Sequence, residues 1–149
     1  MIETEMQQLL IDAAKSVGGQ GLKLNNRFVV GVVDLLISIP GCRPVWLEAK
    51  RLDLSAKSLA AGHHISDIGC TYKQQKFLYD WHAAGMLTGV ASFIQEPGKG
   101  VKSLRLALYA YDDMLKRHWT GHSRDHEPIG DHRTRMSTLA EMLQLFAEK

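Results

Sequence analysis

Apolar positions along the chain fall into blocks whose spacing changes from helical to strand-like and back. Over residues 4–17, Met6, Leu9, Leu10, Ala13, Ala14 and Val17 recur at intervals of three and four, the stripe of an amphipathic helix, and Gly18-Gly19 supply its stop. Two runs rich in Val, Ile and Leu follow, residues 28–39 and 45–49, broken by Pro40-Gly41-Cys42-Arg43-Pro44. Such runs around a Pro/Gly break predict a β-hairpin. Residues 51–71 hold no period and read as a long loop, with a short helical piece near 55–61. A helical pattern returns over 73–84 through Phe77, Leu78 and Trp81, closed by Gly85. Residues 87–94 and 103–109 read as two more strands, 112–119 as a short helix and 121–135 as a polar loop. Apolar residues at 136, 139, 142, 143 and 146 predict a closing helix. The order of helix, hairpin, helix, two strands and helix indicates one mixed α/β domain spanning 1–149.

The hairpin carries the chemistry. With its turn centred on Cys42, residue i faces residue 84 minus i, which sets Asp34 opposite Lys50 and Leu36 opposite Glu48. Alternation along each strand then gathers Asp34, Glu48 and Lys50 on one face. Leu35, Ile37, Ile39, Val45, Leu47 and Ala49 form an unbroken apolar face on the other. A register error of two residues preserves this division, and an error of one reverses it. Two carboxylates and an ammonium group suit phosphodiester hydrolysis. The acids and the Ala49 carbonyl offer hard oxygen ligands to a divalent cation, and Lys50 offers a compact charge to orient or deprotonate the attacking water. The simpler alternative is a cross-strand ion pair between Asp34 and Lys50, worth little when exposed.

Gly31-Val32-Val33-Asp34, followed by Trp46-Leu47-Glu48-Ala49-Lys50, resembles the signature of the PD-(D/E)xK nucleases. Within them the chain is most similar to the VRR-NUC branch, related to Holliday-junction resolvases. That branch also carries a glutamate on an N-terminal helix and a glutamine opening the helix after the motif; Glu3-Thr4-Glu5 and Gln74-Gln75 stand in those places. The resemblance covers about residues 3–94, and the stretch 101–149 stands outside it as a C-terminal elaboration. Val33 replaces the usual proline, and the stretch between Lys50 and Gln74 is longer than the family's.

The resemblance implies a restriction-endonuclease-like fold, a central mixed sheet flanked by helices in an αβββαβ core, with an added C-terminal strand and helices. It also implies a DNA endonuclease acting on branched, flapped or junction substrates with Mg²⁺, for which Mn²⁺ substitutes. Asp34, Glu48 and the Ala49 carbonyl would bind metal with a helix acid, Glu3 or Glu5. Glu3 is favoured because it lies in line with Met6 and Leu10. Lys50 and Gln74 would complete the catalytic set, and Arg51, Lys73 and Gln74 would contact DNA. A non-catalytic nucleic-acid-binding domain of the same fold is the alternative. Cutting both strands of a junction would want two sites, hence a homodimer.

Composition narrows the picture little. Hydrophobic residues at 45% and charged residues at 23% are ordinary for a globular domain, and a formal charge of +2 leaves DNA contact to a local basic surface. Lys116, Arg117, Arg124, Arg133 and Arg135 could line such a path, although Asp125, Glu127 and Asp131 dilute them. Nothing approaches the roughly 18 apolar residues of a membrane span. Two lone cysteines, Cys42 and Cys70, with no leader ahead of the first helix, give the expectation of a cytoplasmic protein. His118, His122 and His126 recur every four residues and His63-His64 are adjacent, but Gly121 interrupts the helix that would align the trio for zinc. Trp81 and Trp119 read as core or interface residues rather than base-stacking platforms.

Overall fold

The computed structural model describes residues 3–24, 32–53, 70–95, 105–110 and 132–148. In chain order these form α1 (Glu3–Ser16), β1 (Gln20–Lys23), β2 (Leu35–Ser38), β3 (Val45–Asp53), α2 (Tyr72–Ala83), β4 (Leu87–Gln95), β5 (Arg105–Ala110) and α3 (His132–Ala147). The architecture is α/β. The expected pieces at 55–61 and 112–119, the histidines at 63, 64, 118, 122 and 126, and Trp119 lie outside the described residues.

Helix α1 ends as its glycines predict. Gly18 adopts φ +83°, which an L side chain resists, and this lets Gly18 N–H reach Lys15 O and Gly19 N–H reach Ala14 O. The chain then turns directly into β1, where Gly21 packs against α1: a Cβ there would lie 2.7 Å from Ile11 Cγ1. β1 is short and largely exposed, with no apolar alternation, so the hydrophobic pattern did not announce it.

The strands form one sheet in the order β1-β2-β3-β4-β5, antiparallel throughout except for the parallel pair β3-β4. A parallel pair requires a crossover, and α2 lies within it. The hairpin register differs from expectation by two residues. Leu35 pairs with Leu47, Leu36 with Trp46 and Ile37 with Val45, so partners sum to 82 rather than 84. The cause is a tight turn in which Cys42 N–H bonds Ile39 O, with Pro40 second and Gly41, at φ +79°, third. That turn is centred one residue earlier than Cys42. Glu48 therefore no longer faces Leu36, and continuing the ladder sets Asp34 across from Glu48 rather than from Lys50.

An even shift keeps the two faces intact. Leu35, Ile37, Ile39, Val45 and Leu47 are buried in one core with Met6, Leu10, Ile11, Ala13 and Ala14 of α1 and Leu139, Ala140, Met142, Leu143 and Phe146 of α3. Helix α3 begins at His132, four residues before the apolar stripe, so 132–135 belong to a helix and not to the expected polar loop. Helix α2 covers the opposite face. Trp46 of β3 meets Phe77 at 5.6 Å and Trp81 at 5.1 Å between ring centroids, and buried Thr88 of β4 donates its hydroxyl hydrogen to Leu78 O. No helix among the described residues is long and apolar enough to cross a membrane.

Candidate functional site

The aromatic contacts set where α2 can reach. Gln74, Phe77, Leu78 and Trp81 lie on one helical stripe, at spacings of three, four and seven. Docking Phe77 and Trp81 on Trp46 aims Gln74 at the same sheet face two residues further along β3. There Gln74 Nε2 donates to Glu48 Oε1 at 2.8 Å. The rest of the Gln74 amide is held by the helix start: its Oε1 accepts from Thr71 N–H, while Thr71 Oγ1 accepts from Gln74 N–H. This reciprocal cap fixes the amide so that its NH₂ must face Glu48.

Glu48 is the centre of the cluster. It is 2% exposed, and Lys50 Nζ lies 3.4 Å from the same Oε1 that Gln74 holds. Its other oxygen, Oε2, is buried and receives no N–H donor. Burial raises the Glu48 pKa from an ordinary 4.5 to about 8; the neighbouring Asp34 carboxylate adds to the rise and Lys50 opposes it. Asp34, half-buried just ahead of β2, accepts Ala49 N–H at Oδ2, 2.9 Å away. Two acids thus converge with one ammonium group, and the pairing foreseen between Asp34 and Lys50 is replaced by one between Glu48 and Lys50.

This donor set fits a hard divalent cation. In an extended strand a residue's N–H and C=O project toward the same neighbour, so the Ala49 carbonyl points to the side on which Asp34 takes its N–H. Asp34, Glu48 Oε2 and the Ala49 carbonyl then offer three oxygens, and Mg²⁺ ordinarily takes one or two carboxylates and keeps several waters. Glu48 also shares a side-chain hydrogen bond with Asp34, so a cation held by both acids would take the place of the proton between them. Among the described residues no three His, Cys, Asp or Glu side chains form a metal-holding group, so any such cation would rest on two carboxylates and backbone oxygen.

The other expected residues are not drawn in. Glu3 and Glu5 are exposed in the first turn of α1, a helix packed on the apolar face, and neither carboxylate contributes to the shift at Glu48. The stripe through Met6 and Leu10 is buried, but at the helix's first residue it has reached solvent. Arg51 is exposed, and alternation along β3 sets it on the face opposite Lys50. Lys73 is exposed beside Gln74 at the start of α2. Two residues near the site had no motif to mark them. Cys70, buried immediately before the Thr71 cap, has its thiol pushed up to about 12, by burial first and then by Glu48. Ser92 of β4 is the register partner of Lys50; its only signal was a polar residue inside an apolar run.

No family model matches the chain, and no curated protein matches it either.

Proposed function

We propose that this chain is a divalent-metal-dependent endonuclease of the PD-(D/E)xK type, with a restriction-endonuclease-like fold, hydrolysing DNA phosphodiester bonds at branched, flapped or junction structures. The observation that carries the reading is the meeting of Asp34, Glu48, Lys50 and Gln74 on one sheet face, with the two carboxyls close enough to raise the pKa of Glu48. Chain order also agrees with it: αβββαβ, then a strand and a helix.

In this reading Asp34, Glu48 and the Ala49 carbonyl would hold Mg²⁺ or Mn²⁺, which would supply charge neutralisation at the phosphate and lower the pKa of water. Gln74 holds Glu48 in place through Oε1. Lys50 orients the attacking water, which gives up a proton to solvent as its oxygen bonds to phosphorus and the bond to the leaving sugar oxygen breaks. The leaving oxygen takes up a proton from solvent, so the protons balance. Lys73, at the exposed start of α2 beside Gln74, is placed to meet a backbone phosphate. Cleavage of linear, flapped and four-way DNA with Mg²⁺, with Mn²⁺ and with EDTA tests the reading. Wild type should cut with either metal and not with EDTA, and Lys50→Ala should lower the rate by at least about 100-fold. Failure of wild type to cut any of these substrates with metal refutes it.

A second reading draws on the ion pair already present between Lys50 and Glu48, which partly neutralises the acids without any cation. A nucleic-acid-binding domain of the same fold would then show DNA affinity that Asp34→Ala leaves intact, with no cleavage to lose.

A further inference from the structure

We propose that Ser92 is a positioning residue for Lys50: its hydroxyl, without a partner in the metal-free fold, accepts one N–H of the ammonium group when metal and DNA occupy the site and so fixes Nζ there; this rests on the nuclease reading above. β3 and β4 run parallel, with Lys50 registered on Ser92 and Glu48 on Val90. Residues paired in this way present their side chains on the same face, with strands about 4.8 Å apart. Ser92 is therefore the side chain that β4 sets directly beside Lys50.

Three observations give the hydroxyl its task. Ser92 is fully buried and its Oγ has no hydrogen-bond partner, although a buried hydroxyl ordinarily has one. Thr88, four residues earlier on the same face, is equally buried, but its hydroxyl is committed to Leu78 O. Lys50, in turn, has three donors to place. Its contact with Glu48 Oε1, at 3.4 Å, is longer than the roughly 2.7–2.9 Å of a charge-assisted hydrogen bond, and Gln74 already occupies that oxygen at 2.8 Å. With the Lys50 side chain only 15% exposed, solvent offers it few alternatives. An unfilled acceptor and an under-used donor stand side by side on adjacent strands. Holding Nζ between Glu48 on its own strand and Ser92 on the next defines its position far better than one long ion pair does.

Ser92→Ala removes an atom that makes no hydrogen bond in the metal-free fold, so the fold should tolerate it. The experiment compares wild type and Ser92→Ala in cleavage of branched DNA with Mg²⁺ and in thermal unfolding in EDTA. It also follows the ¹⁵N resonance of the Lys50 side-chain nitrogen with metal and DNA bound, assigned by its loss in Lys50→Ala. We expect kcat to fall about tenfold, as for the loss of one hydrogen bond. KM and Tm should be unchanged or Tm slightly higher, and the Lys50 resonance should shift. Three results overturn the proposal: wild-type kcat, an unmoved Lys50 resonance, or a Tm that falls in step with the rate, the last marking a packing role. If wild type itself does not cleave, the nuclease reading fails and the role of Ser92 fails with it, whereas an active wild type matched by Ser92→Ala removes the Ser92 proposal alone.

Discussion

Among single residues, Glu48 is where stability and the proposed metal binding compete. Its folded pKa, about 8, stands well above the ordinary 4.5. Below 4.5 the carboxyl is protonated whether the chain is folded or not. Between 4.5 and 8 the unfolded chain gives up a proton that the folded chain keeps, so each rise in pH favours unfolding, by at most about 1.4 kcal/mol per pH unit. Above 8 both forms are ionised and the penalty is constant. Metal-free protein should therefore melt at a lower temperature at pH 8 than at pH 5, as seen by circular dichroism in EDTA. Glu48→Gln should flatten that slope, because its neutral amide can still accept from Gln74 and can donate to Asp34. A cation needs the ionised carboxylate, so Mg²⁺ binding below pH 8 should release a proton and tighten by up to about tenfold per pH unit. Proton release measured by calorimetry in two buffers of different ionisation enthalpy reads this directly; no release at pH 6.5 would contradict it.

Among elements, the hairpin and α2 show what the chain makes legible and what it hides. The two faces of β2 and β3 were readable because every second residue over 35–39 and 45–49 is aliphatic while Asp34, Ser38, Glu48 and Lys50 share the other parity, and burial enforces that division. Register was not, because it depends on which residues Pro40-Gly41 folds into the turn, and a shift of two costs no burial. β1 escaped notice because an exposed edge strand of Gln, Gly, Leu and Lys buries no stripe. Gln74 was placed from a resemblance, while its hold on Glu48 depends on Phe77 and Trp81 docking on Trp46, a contact 31 residues or more away in sequence that no local pattern encodes. The double use of Gln74 makes a test possible at this scale. Gln74→Glu keeps the reciprocal cap, since glutamate at that helix position serves as well, yet sets a third carboxylate beside Glu48 and Asp34. Losing a hydrogen bond to a charged group costs about 1.5–3 kcal/mol, and charge repulsion adds to it. Helix content by circular dichroism should match wild type, while metal-free denaturation at pH 8 should show a loss of that order, largely recovered at pH 5, where Glu48 is protonated and can donate to the new carboxylate. An equal loss at both pH values would mean that the substitution damages the cap instead of the site.

For the whole molecule, the question is how far the acid-bearing face depends on the far side of the sheet. By sequence alone the C-terminal stretch is an addition to the motif-bearing core, because residues 101–149 hold none of the motif. Packing makes α3 integral: Leu139, Leu143 and Phe146 close the same core that Met6 and Leu10 of α1 enter, beneath Leu35 and Leu47. Leu35 and Leu47 stand next along their strands to Asp34 and Glu48, so the carboxylates are held in place by a floor that two helices from opposite ends of the chain complete. Leu143 is 2% exposed. Leu143→Ala should cost about 2–5 kcal/mol in urea denaturation, the range for a buried leucine whose cavity relaxes only in part. Because β3 also pairs with β4 and is covered from the other side by α2, the site should survive in the fraction that remains folded. Mg²⁺ affinity measured well below the denaturation midpoint should therefore stay within about twofold of wild type while stability falls. A variant that loses metal affinity before it loses its fold would show instead that α3 sets the spacing of the two carboxylates through the core, and would tie the C-terminal helix to the chemistry itself.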